Sequence, residues 1–121
     1  MFFCCINLTK INFGKLDFSL ANSFEYMFNG CVKLVDLDVT NFNTKNSKSF
    51  KGMFNNMKNL EKIDVSKFNT SKCENINSMF EGCYKLTEID MFNWDISNLN
   101  FNYGKENPIN GLFYDCKNLK K

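Results

Sequence analysis

The apolar positions of the chain recur with a 26-residue period. The pair Met27-Phe28 returns as Met53-Phe54 and again as Met79-Phe80. Other apolar columns share this spacing: Phe24, Phe50 and Ile76; Leu34, Leu60 and Leu86; Leu37, Ile63 and Ile89; Val39, Val65 and Met91; Phe42, Phe68 and Trp94. Because one copy cannot bury these side chains alone, the period predicts stacked copies that cover one another.

The period divides the chain into about four stacked 26-residue repeats within a single unit, 1–121. We assign a partial copy to 1–22, full copies to 23–48, 49–74 and 75–99, an inserted loop to 100–110 and a partial copy to 111–121. Phe113 occupies the slot that follows Phe80, but it lies seven positions later than the period requires, so seven residues are inserted. An insertion confined to one stretch predicts a loop on one face of the stack.

Two local patterns predict the elements within each copy. The alternation in Leu37-Asp38-Val39 and its equivalents predicts a short strand with one buried face. In Ser23 to Phe28 the apolar residues lie three and four apart, which predicts one short helical turn. Gly30 and Gly82 follow this turn, where a helix end favours positive φ. We therefore expect an α/β repeat solenoid of short parallel strands, about 4.8 Å apart, and short helical turns.

The repeat motif also resembles a known one. The run Met-Phe-x-Gly-Cys-x-x-Leu-x-x-Leu-Asp-Val-x-x-Phe-Asn-Thr at 27–44 is similar to the 26-residue repeat of BspA-like bacterial surface proteins, which are grouped with the leucine-rich repeats. The resemblance covers nearly all of the chain. It implies a leucine-rich-repeat-like solenoid on a secreted or lipid-anchored protein that acts in adhesion. Asn56-Met57, Trp94 and the inserted loop depart from the motif.

Composition excludes several classes of function. The net charge is only +2 and the basic residues are all lysines, which predicts no nucleic-acid partner. No stretch approaches the roughly 18 apolar residues of a membrane span, so we expect no membrane insertion of this segment. The chain has no histidine, no Cys-x-x-Cys pair and no glycine-rich phosphate loop. We therefore predict no catalytic, cofactor or metal site, and no enzyme.

Four of the six cysteines share one repeat column. Cys5, Cys31, Cys83 and Cys116 occupy it, and Met57 fills the remaining slot. A methionine fits this column if it is a buried apolar site, which favours a packing ladder. Disulfides between Cys5 and Cys31, or between Cys83 and Cys116, are the alternative. Cys73 stands outside the column as a candidate free thiol.

A candidate binding surface follows from the acidic column and the inserted loop. It comprises nine residues: Asp36, Asp38, Lys62, Asp64, Glu88, Asp90, Tyr103, Lys105 and Glu106. The acidic column either attracts a basic partner or a calcium ion, or binds turn backbone near Thr40 and Ser66. The second interpretation is favoured, because the column keeps phase with the framework and no calcium-loop motif is present. The inserted loop is either a binding loop or a spacer.

These features predict a non-catalytic repeat module of a cell-surface or secreted protein, with adhesion or protein or glycan binding as its role. The partner would be a protein or glycan on another cell or matrix. An intracellular, cytoplasmic protein-protein interaction scaffold is the alternative, which the unpaired spacing of the cysteines favours. Because the repeats begin and stop within a copy, we also expect either a longer array or end-to-end self-association.

Overall fold

In the computed structural model, which describes residues 2–102 and 106–120, the copies lie against one another in chain order. Equivalent phenylalanine rings form a column through the stack. The ring centroids are 5.6 Å apart for Phe2 and Phe28, 5.9 Å for Phe28 and Phe54, 5.3 Å for Phe54 and Phe80, and 5.7 Å for Phe80 and Phe113. The 26-residue spacing therefore brings equivalent side chains into contact.

The predicted α/β repeat solenoid is wrong. The described residues contain no helix and no extended strand, and their regular pairing is limited to two isolated parallel bridges, Ser23 with Ser49 and Ser49 with Asn75. Turns and loops make up nearly all of the rest. A leucine-rich-repeat solenoid is therefore not supported, although the copies do contact one another.

Left-handed backbone explains why the expected helical turn does not form. Tyr26 and Gly30 have φ of 54° and 73°, and the equivalent residues Gly52 and Asn56 both have φ of 59°. Left-handed residues four positions apart cannot belong to a right-handed helix. The positive φ expected at Gly30 does occur, but in a series of tight turns instead of at a helix end.

In these turns, some backbone N–H groups donate to the next copy and others donate within their own copy. Alternate N–H groups of the first full copy donate to the next copy at 2.8–2.9 Å, in the pairs Phe24 to Ser49, Tyr26 to Lys51, Phe28 to Met53 and Gly30 to Asn55. Met27 N closes a turn by donating to the carbonyl three residues earlier, Phe24 O, at 3.2 Å, and Asn29 N does so in the same way. Glu25 N instead donates to Ser23 Oγ at 3.2 Å. The segment thus satisfies its backbone without helix or sheet.

The predicted strand segments bury the expected residues without pairing as strands. Leu37 and Val39 are buried and Asp38 is exposed, as the alternation indicates. Between the described parts of the first two full copies, this region contributes one long backbone hydrogen bond, from Glu61 N to Val35 O at 3.4 Å. Alternating polarity selects the side chains that face the core, whereas a strand also requires a ladder of hydrogen bonds.

Side chains of asparagine and aspartate close the turns that follow. Asn69 Oδ1 accepts a hydrogen bond from Ser71 N at 3.1 Å, and Asp95 Oδ1 accepts one from Ser97 N at 2.9 Å. In both cases a side-chain oxygen accepts from the backbone N–H two residues later, which is the bond that closes an Asx turn. The buried Thr70 hydroxyl joins neighbouring copies by accepting from Asp95 N at 2.8 Å. The side-chain oxygen at this position of the repeat therefore closes the same turn in successive copies.

The hydrogen-bond register locates the insertion. Asn100 N donates to Glu74 O at 2.9 Å, which preserves the spacing of the repeat. Phe50 N donates to Asn75 O, whereas the equivalent Ile76 N donates to Pro108 O, an acceptor seven positions later than the repeat would place it. The seven extra residues are therefore 101–107, within the predicted 100–110, and 103–105 lie outside the described residues.

Candidate functional site

An open groove runs across three successive copies of the repeat and has a volume of about 820 Å³. Its polar lining includes six of the nine candidate residues predicted from the sequence: Asp36, Asp38, Lys62, Asp64, Glu88 and Asp90. Leu37, Ile63 and Ile89 supply its apolar lining, one from each copy. We call this surface the acidic groove.

Hydrogen bonds to the following turn fix the aspartates of the acidic groove. Asp38 Oδ1 accepts from Thr40 N at 3.0 Å and from Thr40 Oγ1 at 2.6 Å. Asp64 Oδ1 accepts from Ser66 N and Oγ at the same two distances. Asp90 Oδ1 accepts from Phe92 N at 2.9 Å. The turn bonds thus involve only Oδ1 of each aspartate, which leaves Oδ2 to face the groove or solvent.

The same bonds keep two of these carboxylates ionised. The Thr40 hydroxyl, followed by the Thr40 backbone N–H, lowers the pKa of Asp38 below its ordinary value of 3.8. The Ser66 hydroxyl and backbone N–H lower the pKa of Asp64 in the same way. Donors to a carboxylate favour its charged form, so both groups are negative at neutral pH.

The acidic groove is negative on a chain whose net charge is positive. Five carboxylates line it against the single ammonium group of Lys62, whereas the whole chain carries +2. Lys62 Nζ lies 3.8 Å from Glu88 Oε1, with both side chains largely exposed. Such an exposed pair contributes little. The local field therefore favours a cationic partner.

The remaining three candidates do not join the acidic groove within the described residues. Tyr103 and Lys105 lie outside the described part of the chain. Glu106 lies elsewhere and accepts a hydrogen bond from the Lys51 ammonium group, a bond that raises the pKa of Lys51. The structure thus brings the acidic-column residues together and separates Glu106 from them.

Sequence reasoning missed a second concavity, which we call the loop cleft. It consists of two adjoining hollows, of about 520 and 370 Å³, beside the start and end of the insertion. The residues that matter for its chemistry are Lys48, Lys72, Glu74, Asn98, Asn100 and Phe101. A signal was available, because Lys48, Glu74 and Asn100 form a polar column at the 26-residue spacing beside the insertion.

The cysteine column is a packing ladder with free thiols. Cys31 Sγ lies 3.1 Å from Phe2 O, Cys83 Sγ 3.2 Å from Phe54 O, and Cys116 Sγ 3.0 Å from Phe80 O, each donating to an adjacent copy. All six cysteines are unpaired, so the alternative disulfides do not form in this structure.

Burial makes these thiols poor nucleophiles. Desolvation raises the pKa of Cys31 to about 11, and it also raises the pKa of Cys83. Cys73 is a free thiol as predicted, but it is buried and its pKa is raised to about 11. A thiol reacts through its thiolate, which such raised pKa values suppress at neutral pH.

The described residues offer neither a metal-ion cluster nor a membrane-spanning helix. Over residues 2–102 and 106–120, no group of three or more acidic or cysteine side chains is placed to hold a metal ion. Within the same ranges there is no helix with the length and apolarity that a membrane crossing requires.

Comparison with known proteins identifies one family. Its sequence profile matches residues 1–121, and its description is "Mycoplasma protein of unknown function, DUF285". No curated protein matches the chain significantly, and no solved structure does so either. The match does not bear on the resemblance to BspA-like surface proteins, which stays a prediction.

Proposed function

The chain belongs to the DUF285 family, whose description assigns no function, and we propose that it is a non-catalytic binding module of a cell-surface protein. In this proposal the acidic groove holds a cationic segment of a partner protein on another cell or matrix. The partner's ammonium or guanidinium groups would pair with the free carboxylate oxygens, and its apolar side chains would contact Leu37, Ile63 and Ile89.

The observation that carries the proposal is the convergence of three copies on one preorganised surface. Asp38 and Asp64 are held by paired hydrogen bonds to their turns before any partner arrives. Side chains that are already fixed lose less conformational entropy on binding. Three copies also present a row of sites, which suits an extended partner with repeated positive charges.

The chemistry of the described side chains supports a non-catalytic role. The chain has no histidine to act as a general base near neutral pH. Its buried thiols, such as Cys83, have raised pKa values and are engaged with backbone carbonyls. Asp38 and Asp64 have lowered pKa values, whereas a carboxyl that acts as a general acid near neutral pH requires a raised one.

Binding of a fluorescent deca-lysine probe to the 1–121 polypeptide tests the proposal. A variant with Asp38→Asn, Asp64→Asn and Asp90→Asn removes three charges and keeps an acceptor oxygen for each turn. We expect its affinity to fall by at least about tenfold at low salt, and wild-type binding to weaken as salt rises.

Asp95→Asn is the matched control for charge. Asp95 makes the same pair of hydrogen bonds, to Ser97 N at 2.9 Å and Ser97 Oγ at 2.6 Å, but does not line the acidic groove. Its affinity for the probe should match the wild type. Equal affinity of the triple variant and the wild type would contradict the proposal. A loss of affinity in Asp95→Asn as large as that in the triple variant would contradict it as well.

The second candidate is an intracellular protein-protein interaction scaffold. It is favoured by the six unpaired cysteines, because a reducing compartment maintains free thiols. Protease treatment of intact source cells, followed by immunodetection of this region, separates the two candidates. Loss of signal from unbroken cells supports the surface module, whereas loss only after lysis supports the scaffold.

End-to-end self-association of the polypeptide also stays a prediction. Light scattering over increasing protein concentration measures it directly. A mass that rises with concentration is the expected result, and a constant monomer mass would contradict it.

A further inference from the structure

The loop cleft exists because the insertion interrupts the repeat beside a polar column. Backbone hydrogen bonds join this column across the copies, from Lys48 N to Asn22 O at 2.9 Å, from Glu74 N to Lys48 O at 2.8 Å and from Asn100 N to Glu74 O at 2.9 Å. The two hollows of the cleft share Lys48, Glu74 and Asn100. A regular repeat would continue one surface, whereas here the described ends of the insertion line the two hollows.

Both described ends of the insertion are held in place. At its start, Asn102 N donates to Asn100 Oδ1 at 3.1 Å. At its end, Asn77 Nδ2 donates to Asn107 O at 3.0 Å, and Asn77 is only 2% exposed. Glu106 is bonded to the Lys51 ammonium group as well. The described parts of the cleft walls are therefore in place before a ligand binds.

The lining offers both donors and acceptors to an uncharged polar ligand. Asn98 uses its Nδ2 to donate to Ser71 O at 2.5 Å, which leaves Oδ1 as an acceptor. Asn100 uses Oδ1 for its turn, which leaves Nδ2 as a donor. The Glu74 carboxylate adds acceptor oxygens, with one oxygen 3.4 Å from Lys48 Nζ. Vicinal hydroxyl groups need such adjacent donors and acceptors.

The charge of the cleft and its exposed aromatic ring indicate which class of ligand it fits. Across the two hollows, the ammonium groups of Lys48 and Lys72 are outnumbered by the carboxylates of Glu25, Glu74 and Glu106, so the cleft has no excess positive charge to attract an anionic ligand. Phe101 borders the same hollow and is 63% exposed. A pyranose ring presents hydroxyls at its edge and a C–H face that packs on an aromatic ring, a combination that matches this lining.

We propose that the loop cleft binds an uncharged oligosaccharide. Glu74, Asn98 and Asn100 hydrogen-bond its hydroxyl groups, and Phe101 packs against one sugar face. This site is separate from the acidic groove and takes a different class of ligand, so the proposal stands even if the groove binds no cationic partner.

Saturation-transfer NMR on the 1–121 polypeptide tests this proposal with cellotriose, maltotriose, mannotriose and tri-N-acetylchitotriose, each at about 5 mM to detect millimolar affinities. We expect transfer to at least one of these neutral sugars. Phe101→Ala should weaken that binding by about two- to tenfold, the range for one lost aromatic contact. Asn100→Asp keeps the turn acceptor, removes the amide donor and should also weaken binding.

Two controls separate this site from general effects. Phe92→Ala removes another exposed aromatic ring, 92% exposed and outside the cleft, and should leave sugar binding unchanged. Asp64→Asn should also leave it unchanged, because that residue belongs to the acidic groove. Fluorescence of Trp94 confirms that each variant is folded.

The proposal is overturned by any of three results. These are no transfer to any of the four sugars, equal losses in Phe101→Ala and Phe92→Ala, or stronger binding of a sulfated trisaccharide than of every neutral one. Sugar binding without deca-lysine binding would reject only the proposed function of the acidic groove. Deca-lysine binding without sugar binding would reject only the proposal for the loop cleft.

Discussion

The ring column should be the main support of the stack, and Phe54 is its central member. Phe54 is fully buried, and its ring centroid lies 5.9 Å from that of Phe28 and 5.3 Å from that of Phe80. The substitution Phe54→Ala removes apolar contacts with both neighbouring copies at once. Phe92→Ala is the control, because Phe92 is 92% exposed.

The loss of unfolding free energy follows from the contacts that Phe54 makes with the rings of its two neighbours. Replacing a buried phenylalanine with alanine costs about 3–5 kcal/mol of unfolding free energy. Phe54→Leu keeps most of the apolar volume but loses two ring pairs, at about 0.5–1.5 kcal/mol each, so it should cost about 1–3 kcal/mol. With a urea m-value of about 2 kcal/mol/M, Phe54→Ala should lower the unfolding midpoint by about 2 M.

Urea titration monitored by Trp94 fluorescence measures these changes. Trp94 is the only tryptophan, is 9% exposed and donates from Nε1 to Val65 O at 3.0 Å, so unfolding changes its environment. The expected order of midpoints is wild type and Phe92→Ala together, then Phe54→Leu, then Phe54→Ala. Equal midpoints for Phe54→Ala and Phe92→Ala would refute the assignment of the ring column to the core.

Three further predictions concern the turns and the thiols. Because the pKa of Asp64 is lowered in the folded state, its contribution is present above the ordinary value of 3.8 and is lost as pH falls through the folded pKa. The urea midpoint should therefore fall less steeply below pH 3.8 in Asp64→Asn than in the wild type, and identical slopes would contradict this. Gly52→Ala should lower the urea midpoint more than Gly14→Ala does. Both glycines have positive φ, but only a Cβ at Gly52 would collide with the Tyr26 ring. Equal urea midpoints would show that this ring moves aside freely. Mass spectrometry during iodoacetamide treatment should find exposed Cys4 labelled first and buried Cys83 labelled only on unfolding, and similar rates would rule out the packing ladder.

The periodicity predicted side-chain environments better than backbone conformation. Leu34 and Leu60 are fully buried, and Phe68 is 4% exposed, as their columns indicated. The lengthened step from Phe80 to Phe113 also placed the insertion where the hydrogen-bond register changes. A period records which positions face the core, but it carries no direct information about φ. The helix and strand predictions failed for that reason.

A comparison between copies could have revealed the left-handed backbone. Tyr26 aligns with Gly52, and Asn56 aligns with Gly30 and Gly82, and all five have positive φ. Glycine tolerates this conformation most readily, so a glycine in one copy marks the same position in the other copies. Tyr26 alone gives no such signal, because left-handed residues other than glycine are uncommon.

The candidate site was partly predictable for the same physical reason. Asp38, Asp64 and Asp90 share one phase of the repeat, so stacking was sufficient to place them together. The ion pair between Glu106 and Lys51 could not be found this way, because Glu106 lies within the insertion and has no fixed phase with Lys51. Periodicity predicts contacts within columns, whereas contacts made by an insertion depend on its own path.

The turns of the acidic groove need an acceptor oxygen from each aspartate, but they do not need its negative charge. At the equivalent position of the first copy, Asn12 Oδ1 accepts a hydrogen bond from Gly14 N at 2.8 Å, so a neutral amide closes the same turn. Turn closure alone therefore explains an acceptor oxygen at Asp38, Asp64 and Asp90, but it does not explain three negative charges in the next three copies. Like charges along one groove repel one another, which opposes stability unless a cationic partner neutralises them. Because the turns do not need these negative charges, the charges favour binding as the role of the acidic groove. Neutral asparagine variants can therefore test binding while leaving each turn closed.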